Sequence, residues 1–563
     1  MSVEVQKPEV KGATLHQEFA RPDELVTKNV QFDVIEDTGL QGSELKHMKD
    51  ERVVMTDEQS AGKLIATFCL FLSGKAYPNA SPLTLLTPYN RVYFLQILDK
   101  SCVGYAATFG LREDAHLTGD QYSTIGSAGY WAQLAWQPFS AYLIVKVPPR
   151  ILMPCLVCFW GISMIGMAFS TSFGPLLANR FLLGLFEAGC LPLFTVIATS
   201  FYRKIECTWA IAMFYSQNGI ANIFGSLLAW AVSFADGSHL HVYQILFLIV
   251  GLMTVLTAPY IIWKLDNSPE TARFLTPEER LWAVERLRDN NTGIVNRQFK
   301  WHQAIEACIS PLLWLFVALT FCVNTGGAVV NVFGPLIVKS FGFTSRVTIL
   351  LNMPFGFLQT VVILASAWAA MRWKSKGIFI VVLMVPCCIG SGLLYGLGRE
   401  SSDTGPLLFG YYLLSALFGA NPLILSFMAG NIAGHTKKSI CLSLYGMGSA
   451  TGNIVGPLLF KSKEAPKYAG GLRAILGIFI ATIGCVAITE ALLWFLNKRK
   501  ERERVANGKP AKIQDLSMNS KYEARQDYQA SPGEDGETEG PRLGDNAFAD
   551  LTDRQNDEFV YTY

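Results

Sequence analysis

The sequence is short of charge: Asp, Glu, Lys and Arg make up 16% of its 563 residues, against roughly a quarter in an average soluble domain. What charge there is nearly cancels, with 47 basic and 45 acidic residues and a formal net charge of +2, so no basic surface points to nucleic acid. A Walker sequence, an HExxH pair and a GxSxG nucleophile elbow are missing as well, which leaves ATP-driven pumping and hydrolysis without their parts. The first sixty residues have no basic patch leading into an apolar core and a small-residue cleavage site. They are expected to be a disordered cytosolic tail, residues 1–60. The 12 cysteines lie mostly inside apolar runs and read as buried free thiols, with no metal or other cofactor expected.

What is abundant is apolar sequence, 51% of the chain. A bilayer crossing takes about 20 mainly apolar residues, and eleven segments meet that test: Tyr122–Val145, Ile151–Thr171, Leu176–Thr199, Trp209–Phe234, Val242–Lys264, Pro311–Phe333, Val347–Met371, Gly377–Leu397, Pro406–Ala429, Ser439–Phe460 and Leu472–Leu496. A twelfth, Val92–Leu111, is required if both termini lie on one side. The polar stretch Leu265–Ser310 divides the chain six plus six. The fold class expected is an all-α membrane protein of twelve transmembrane helices in two six-helix bundles, residues 61–264 and 311–496, with a cytosolic central loop at 265–310. Lys and Arg concentrate on the connections that share a side with the termini, so both termini are expected in the cytosol. The tail from 497 to 563 is acidic and rich in polar residues and is expected to be disordered.

An ionisable side chain at membrane depth is costly and marks a functional candidate. Asp99 and Lys100 lie in the first span, and Arg180 and Glu187 in the fourth. Seven residues of helix advance about 700°, so Arg180 and Glu187 share a face two turns apart. Arginine offers a bidentate fork to a carboxylate, and a carboxylate held away from water can carry protons. Substrate binding is therefore assigned to Asp99, Lys100, Arg180, Asn218, Asn324 and Asn331, and proton coupling to Glu187 and Asp99. Gln137, Asn352, Gln359, Asn421 and Asn453 are further polar groups at depth, each more simply read as an interhelical hydrogen bond. The run Gly448-Ser-Ala-Thr-Gly452-Asn-Ile-Val-Gly456 places a small residue at every fourth position, a stripe on which two backbones approach closely.

Several runs carry a family resemblance: Leu98-Asp-Lys-Ser-Cys-Val-Gly-Tyr-Ala106, Gly184-Leu-Phe-Glu-Ala-Gly189, Ala433-Gly-His-Thr-Lys-Lys438 and Gly452-Asn-Ile-Val-Gly-Pro-Leu-Leu-Phe-Lys-Ser-Lys-Glu-Ala-Pro466. Together with the six-plus-six layout they resemble the major facilitator superfamily, and within it the fungal allantoate permease family of anion:cation symporters. The resemblance implies uptake of a small organic anion, such as a ureide or a vitamin carboxylate, together with protons. It further implies that Asp99, Lys100, Arg180 and Glu187 line or gate a central cavity. A monomer in the plasma membrane is expected, its partners being substrate, protons and lipid. Export of a secondary metabolite and a non-transporting nutrient sensor are the competing functions.

The sequence departs from that family in places. Gln137-Pro138 stands where a glutamate usually precedes the proline, and Ala210 where an arginine is usual. At the first span, Ala61–Leu72 is apolar, Ser73–Arg91 is polar with three prolines, and the family pattern resumes at Val92. The polar stretch is expected to be an insertion, with the true helix joining the first apolar run to Val92 onward.

Overall fold

The computed structural model describes residues 83–108, 111–117, 121–202, 204–234, 240–268, 271–273, 299–339, 345–398, 403–459, 469–513 and 550–563. Among them the regular structure is helical. The spanning segments are α1 (Leu83–Thr108), α2 (Gln121–Lys146), α3 (Pro149–Ala168), α4 (Phe173–Glu187 and Cys190–Phe201), α5 (Lys204–Tyr215 and Gln217–Val232) and α6 (Val242–Lys264). The second half supplies α7 (Pro311–Lys339), α8 (Ser345–Trp373), α9 (Gly377–Gly396), α10 (Thr404–Leu413 and Leu417–Gly430), α11 (His435–Leu458) and α12 (Ala469–Ala506).

Hydropathy alone qualifies eight of these as membrane spans: α3, α4, α6, α7, α8, α9, α10 and α12. The other four, α1, α2, α5 and α11, are polar because protein rather than lipid covers much of them. α2 packs on α11 and α5 on α8, joining the two halves, while α1 lies against α5 and α6. Polar groups buried this way find partners that hydrocarbon cannot supply. The outer surface shows the converse. On α9, Ile378, Val382, Val385 and Ile389 are exposed at helical spacing, a stripe for lipid.

The small-residue stripe packs as its spacing suggests. A Cβ on Gly448 would stand 2.9 Å from Val317 O, on Gly452 2.6 Å from Phe321 O and on Gly456 2.6 Å from Thr325 O. Each contact is with the backbone of α7, which no side-chain rotation can relieve. Cys155 and Cys158 stand at a C-x-x-C spacing on α3, yet both are free thiols, Cys155 facing outward and Cys158 half-buried.

Three expectations need correction. First, α1 begins at Leu83 and ends at Thr108, so the first span starts nine residues before the expected Val92. Asn90 is buried, and the Arg91 guanidinium lies 4.4 Å from the centre of the Tyr260 ring. The remainder of the supposed insertion and the apolar run before it lie outside the described residues. Second, the fourth, fifth and tenth spans, expected as single segments, are locally disturbed at Ala188–Gly189, Ser216 and Leu414–Ala416, with the backbone there still near helical values.

Third, the tail from 497 is not wholly unfolded. α12 continues to Ala506, and residues 550–563 pack on the end of the second half, with Phe559 and Tyr561 buried. Acidic side chains that would repel one another in isolation meet cations here. Lys300 pairs with Asp550 at 2.8 Å, Lys437 with Asp553 at 2.7 Å, and Lys509 with Asp557 at 2.9 Å and Glu558 at 3.0 Å. Burial works against ionisation of the Asp557 carboxyl, but hydrogen bonds from Asn507 and Lys509 outweigh it and hold the group below its ordinary range. The central loop contributes a surface helix, Trp301–Ile309. Its Trp301, Ile305 and Ile309 are exposed along one stripe, and Gln303 and Ala307 face the protein.

Candidate functional site

The site is built on one face of α1. Tyr93, Gln96 and Lys100 recur at helical spacing, so they point the same way. Lys100 Nζ lies 2.6 Å from Glu187 Oε1, and Gln96 Nε2 donates to the same oxygen at 2.7 Å. One turn of α1 away, the Tyr93 hydroxyl accepts from Asn218 Nδ2 of α5 at 3.1 Å. A single helix face thus holds the polar groups of both α4 and α5.

On α4, Leu176, Arg180, Leu183, Gly184 and Glu187 are the buried residues of the first piece, so Arg180 and Glu187 do share the inward face. Helix α2 meets them without any side chain between. A Cβ on Gly129 would lie 3.6 Å from Arg180 Nε, and a Cβ on Gly184 would run into the Gly129 carbonyl. Two glycines therefore let α2 and α4 touch and seat the guanidinium against backbone.

Immediately after Glu187 the helix is disturbed over two residues before Cys190, with Ala188 and Gly189 still near helical backbone values. Gln137 of α2 covers the disturbance: its Nε2 donates to Ala188 O at 3.1 Å, and its Oε1 accepts from Ser140 Oγ at 3.2 Å. A neutral amide can do both at once, which a carboxylate cannot. Gln137 also lies against Gly446 of α11, where a Cβ would stand 2.5 Å from Nε2. α5 is disturbed in the same way at Ser216, just before Asn218.

The four ionisable groups differ in how they are satisfied. Lys100 and Glu187 are paired. Arg180 is 4% exposed, and its Nε and Nη1 make no hydrogen bond. Asp99 is fully buried, with the Trp160 indole beside its carboxylate, and Glu187, Arg180 and Lys100 lie within electrostatic reach of it. The ionised set is neutral as a whole, yet only one of its two cations is directly paired.

The second half completes the centre. Asn324 of α7 donates to Asn421 of α10 at 3.1 Å and to Thr320 Oγ1 at 3.0 Å. Tyr445 of α11 reaches Asn421 O at 3.5 Å. Tyr215 stacks at a tilt on Tyr93, with ring centres 5.2 Å apart. Across the α5–α8 contact, Asn222 Nδ2 donates to Gln359 Oε1 at 3.0 Å, and Thr360 Oγ1 donates to Ser216 O at 3.3 Å. Asn352 accepts from Tyr411, and Asn453 turns back on Ser449 of its own helix. Asn331 is exposed, two turns along α7 from Asn324. Gln96, Tyr93, Tyr215 and Tyr445 were not singled out from the sequence. The usable signal was the spacing of Tyr93 and Gln96 relative to Lys100.

A helical bundle with ionisable groups buried between its helices is an arrangement of secondary transporters. The sequence matches the Major Facilitator Superfamily over residues 92–457. The chain belongs to that superfamily. An uncharacterized transporter of Schizosaccharomyces pombe is 30% identical over 472 residues, covering 84% of each chain. The allantoate permease of Saccharomyces cerevisiae is 27% identical over 484 residues, 84% of this chain and 83% of that one. The high-affinity nicotinic acid transporter of the same yeast is 28% identical over 420 residues, 74% and 76% of the two chains. In fold, the chain is similar to the human organic anion transporter MFSD10, with a TM-score of 0.52 at 16% identity over 72% of this chain and all of that one. The protein is thus a multi-pass membrane transporter of small organic substrates in the allantoate permease-like family, and not an enzyme.

Proposed function

We propose that this facilitator imports a small organic anion together with protons, and that Arg180 is the group that holds the substrate's carboxylate. The observation that carries this reading is the buried Arg180 guanidinium with two nitrogens free of hydrogen bonds, beside a lysine already committed to Glu187. A desolvated cation without a partner is unfavourable, and a carboxylate entering the site would supply the paired geometry that arginine favours. Relatives named for allantoate and nicotinic acid, both carboxylates, fit that chemistry.

Charge balance supplies the coupling. With Asp99 and Glu187 ionised, the four groups cancel. A proton on either carboxyl leaves one unit of positive charge, which an incoming carboxylate cancels again. The site is thus neutral both empty and doubly loaded, and a proton or an anion alone leaves it charged at depth. Rocking of the six-helix halves, residues 61–264 against 311–496, would then expose the site to either side in turn. The disturbed turns beside Glu187 and Asn218 stand at the site itself. The cell surface, with both termini in the cytosol, is the membrane and orientation this reading assigns.

Glu187→Gln or Asp99→Asn fixes one carboxyl in a neutral form. In cells expressing either variant, uptake of labelled allantoate or nicotinate is expected to lose its dependence on external pH, while exchange of labelled for unlabelled substrate continues. A pH profile identical to that of the unaltered protein in both variants would place the proton carrier elsewhere.

A further inference from the structure

α11 starts with a defect that another part of the chain repairs. The first amides of any helix lack partners within it, and a side chain at the N-cap normally accepts from them. Here the N-cap is Gly434, at φ +90°, with no side chain to offer. Asp550 Oδ1 accepts from the His435 amide at 2.7 Å, and Gln303 Oε1 accepts from the amides of Thr436 at 3.1 Å and Lys437 at 3.3 Å. The cap of α11 is thus delivered by the surface helix and by the far end of the chain.

The same end segment is held like a bound peptide. Lys437 Nζ sits between Asp553 Oδ1 at 2.7 Å and Glu306 Oε1 at 2.8 Å. Tyr561 Oη donates to Asp553 Oδ2 at 3.0 Å, and Thr552 Oγ1 to Glu306 Oε2 at 2.9 Å. Asn431 exchanges two hydrogen bonds with the Thr562 backbone, at 2.9 and 2.7 Å. Asn497 does the same with Tyr561, and Lys376 N donates to Tyr563 O. The side-chain contacts read the identity of Asp550, Thr552, Asp553 and Tyr561, and the backbone contacts fix the segment's register.

The capped turn of α11 is also where the two halves meet. Ser439 Oγ donates to Ala141 O of α2 at 3.0 Å, and two turns on, Gly446 seats Gln137. Cys441, between them, is 1% exposed. Cys207 at the start of α5, 4% exposed, lies within electrostatic reach of Lys376 and Lys438.

We propose that residues 550–563 form a releasable latch: docked, they cap α11 and hold it on α2, closing this end of the bundle; undocked, they let it open. The latch rests on these contacts and not on the nature of the substrate. Thiol reactivity tests it without any transport measurement. N-ethylmaleimide labelling of the purified full chain, mapped by mass spectrometry, is compared with that of a chain ending at residue 549. Labelling at Cys441 and Cys207 is expected to quicken about tenfold or more in the shortened chain, while the fully buried Cys102 and Cys190 stay protected. Adding the 550–563 peptide restores protection, and a peptide carrying Asp550→Asn and Asp553→Asn does not. Unchanged labelling, or a rise that the peptide leaves in place, overturns the latch. Should all four thiols open together, the truncation has unfolded the protein, and the full chain with both Asp→Asn changes decides instead. A rise confined to Cys441 and Cys207 then supports the latch, and none refutes it.

Discussion

Replacing Arg180 with Ala is expected to abolish concentrative uptake while leaving a folded protein in the membrane. The side chain makes no hydrogen bond through Nε or Nη1 that folding would lose, and the charge its removal leaves uncompensated can be cancelled by a proton on Asp99 or Glu187. What is lost is the partner of the substrate carboxylate. Truncating one side of a buried charge pair at a binding site costs about 2–5 kcal/mol, or about 30-fold to several thousand-fold in affinity. Arg180→Lys should restore little, because an ammonium cannot reproduce the planar fork, and Gly129 and Gly184 shape this pocket around a guanidinium. Saturation kinetics with labelled substrate, alongside a thermal unfolding curve, checks both halves of the expectation. Unaltered kinetics in Arg180→Ala would remove this residue from the site.

The opposite pattern is expected of Lys437→Ala. This ammonium is 2% exposed and lies between two carboxylates, Glu306 and Asp553. Its loss leaves both acids facing each other across a buried gap. Breaking a buried pair from one side costs about 3–5 kcal/mol, so the variant should unfold at a clearly lower temperature. Lys437→Ala combined with Asp553→Asn should recover part of that loss, since the two sites share a network. Unfolding curves of the four proteins in the cycle measure it. A single variant as stable as the parent would show that the pair is not holding the segment.

These two lysine and arginine sites also show what was legible in the sequence. Arg180 and Glu187 could be placed on one face because helical spacing is local and hydropathy located the helix. Asp99 and Lys100 stood out because charge is rare in a span. Their partners could not be read this way. Gln96 reaches a carboxylate 91 positions away; its spacing from Lys100 puts the two on one face, but no local pattern points to Glu187 on another helix. The disturbance after Glu187 is a tertiary feature too, stabilised by Gln137 from another helix. Reading Gln137 as an interhelical hydrogen bond agrees with the structure, while its acceptor, Ala188 O, was not legible in the sequence.

The end of the chain is the plainest case. Composition marks residues 497–563 as unable to bury enough surface alone, yet residues 550–563 are packed against the rest of the molecule. Lys437 and Asp553 are 116 positions apart, and Gln303 and Asp550 are 247 apart, so the folding surface is supplied by the rest of the molecule. The first helix differs the other way: it starts at Leu83, nine residues before the expected Val92, in a stretch whose polarity a hydropathy test reads as unfit for lipid.

The most direct test of proton-coupled anion import is flux into proteoliposomes holding the purified protein, with the labelled carboxylates proposed above and an imposed pH gradient. Accumulation against the substrate gradient when the side facing the substrate is acid, collapse with a protonophore, and absence in Arg180→Ala vesicles are expected. Accumulation that ignores the pH gradient, or binding without any flux, would contradict it.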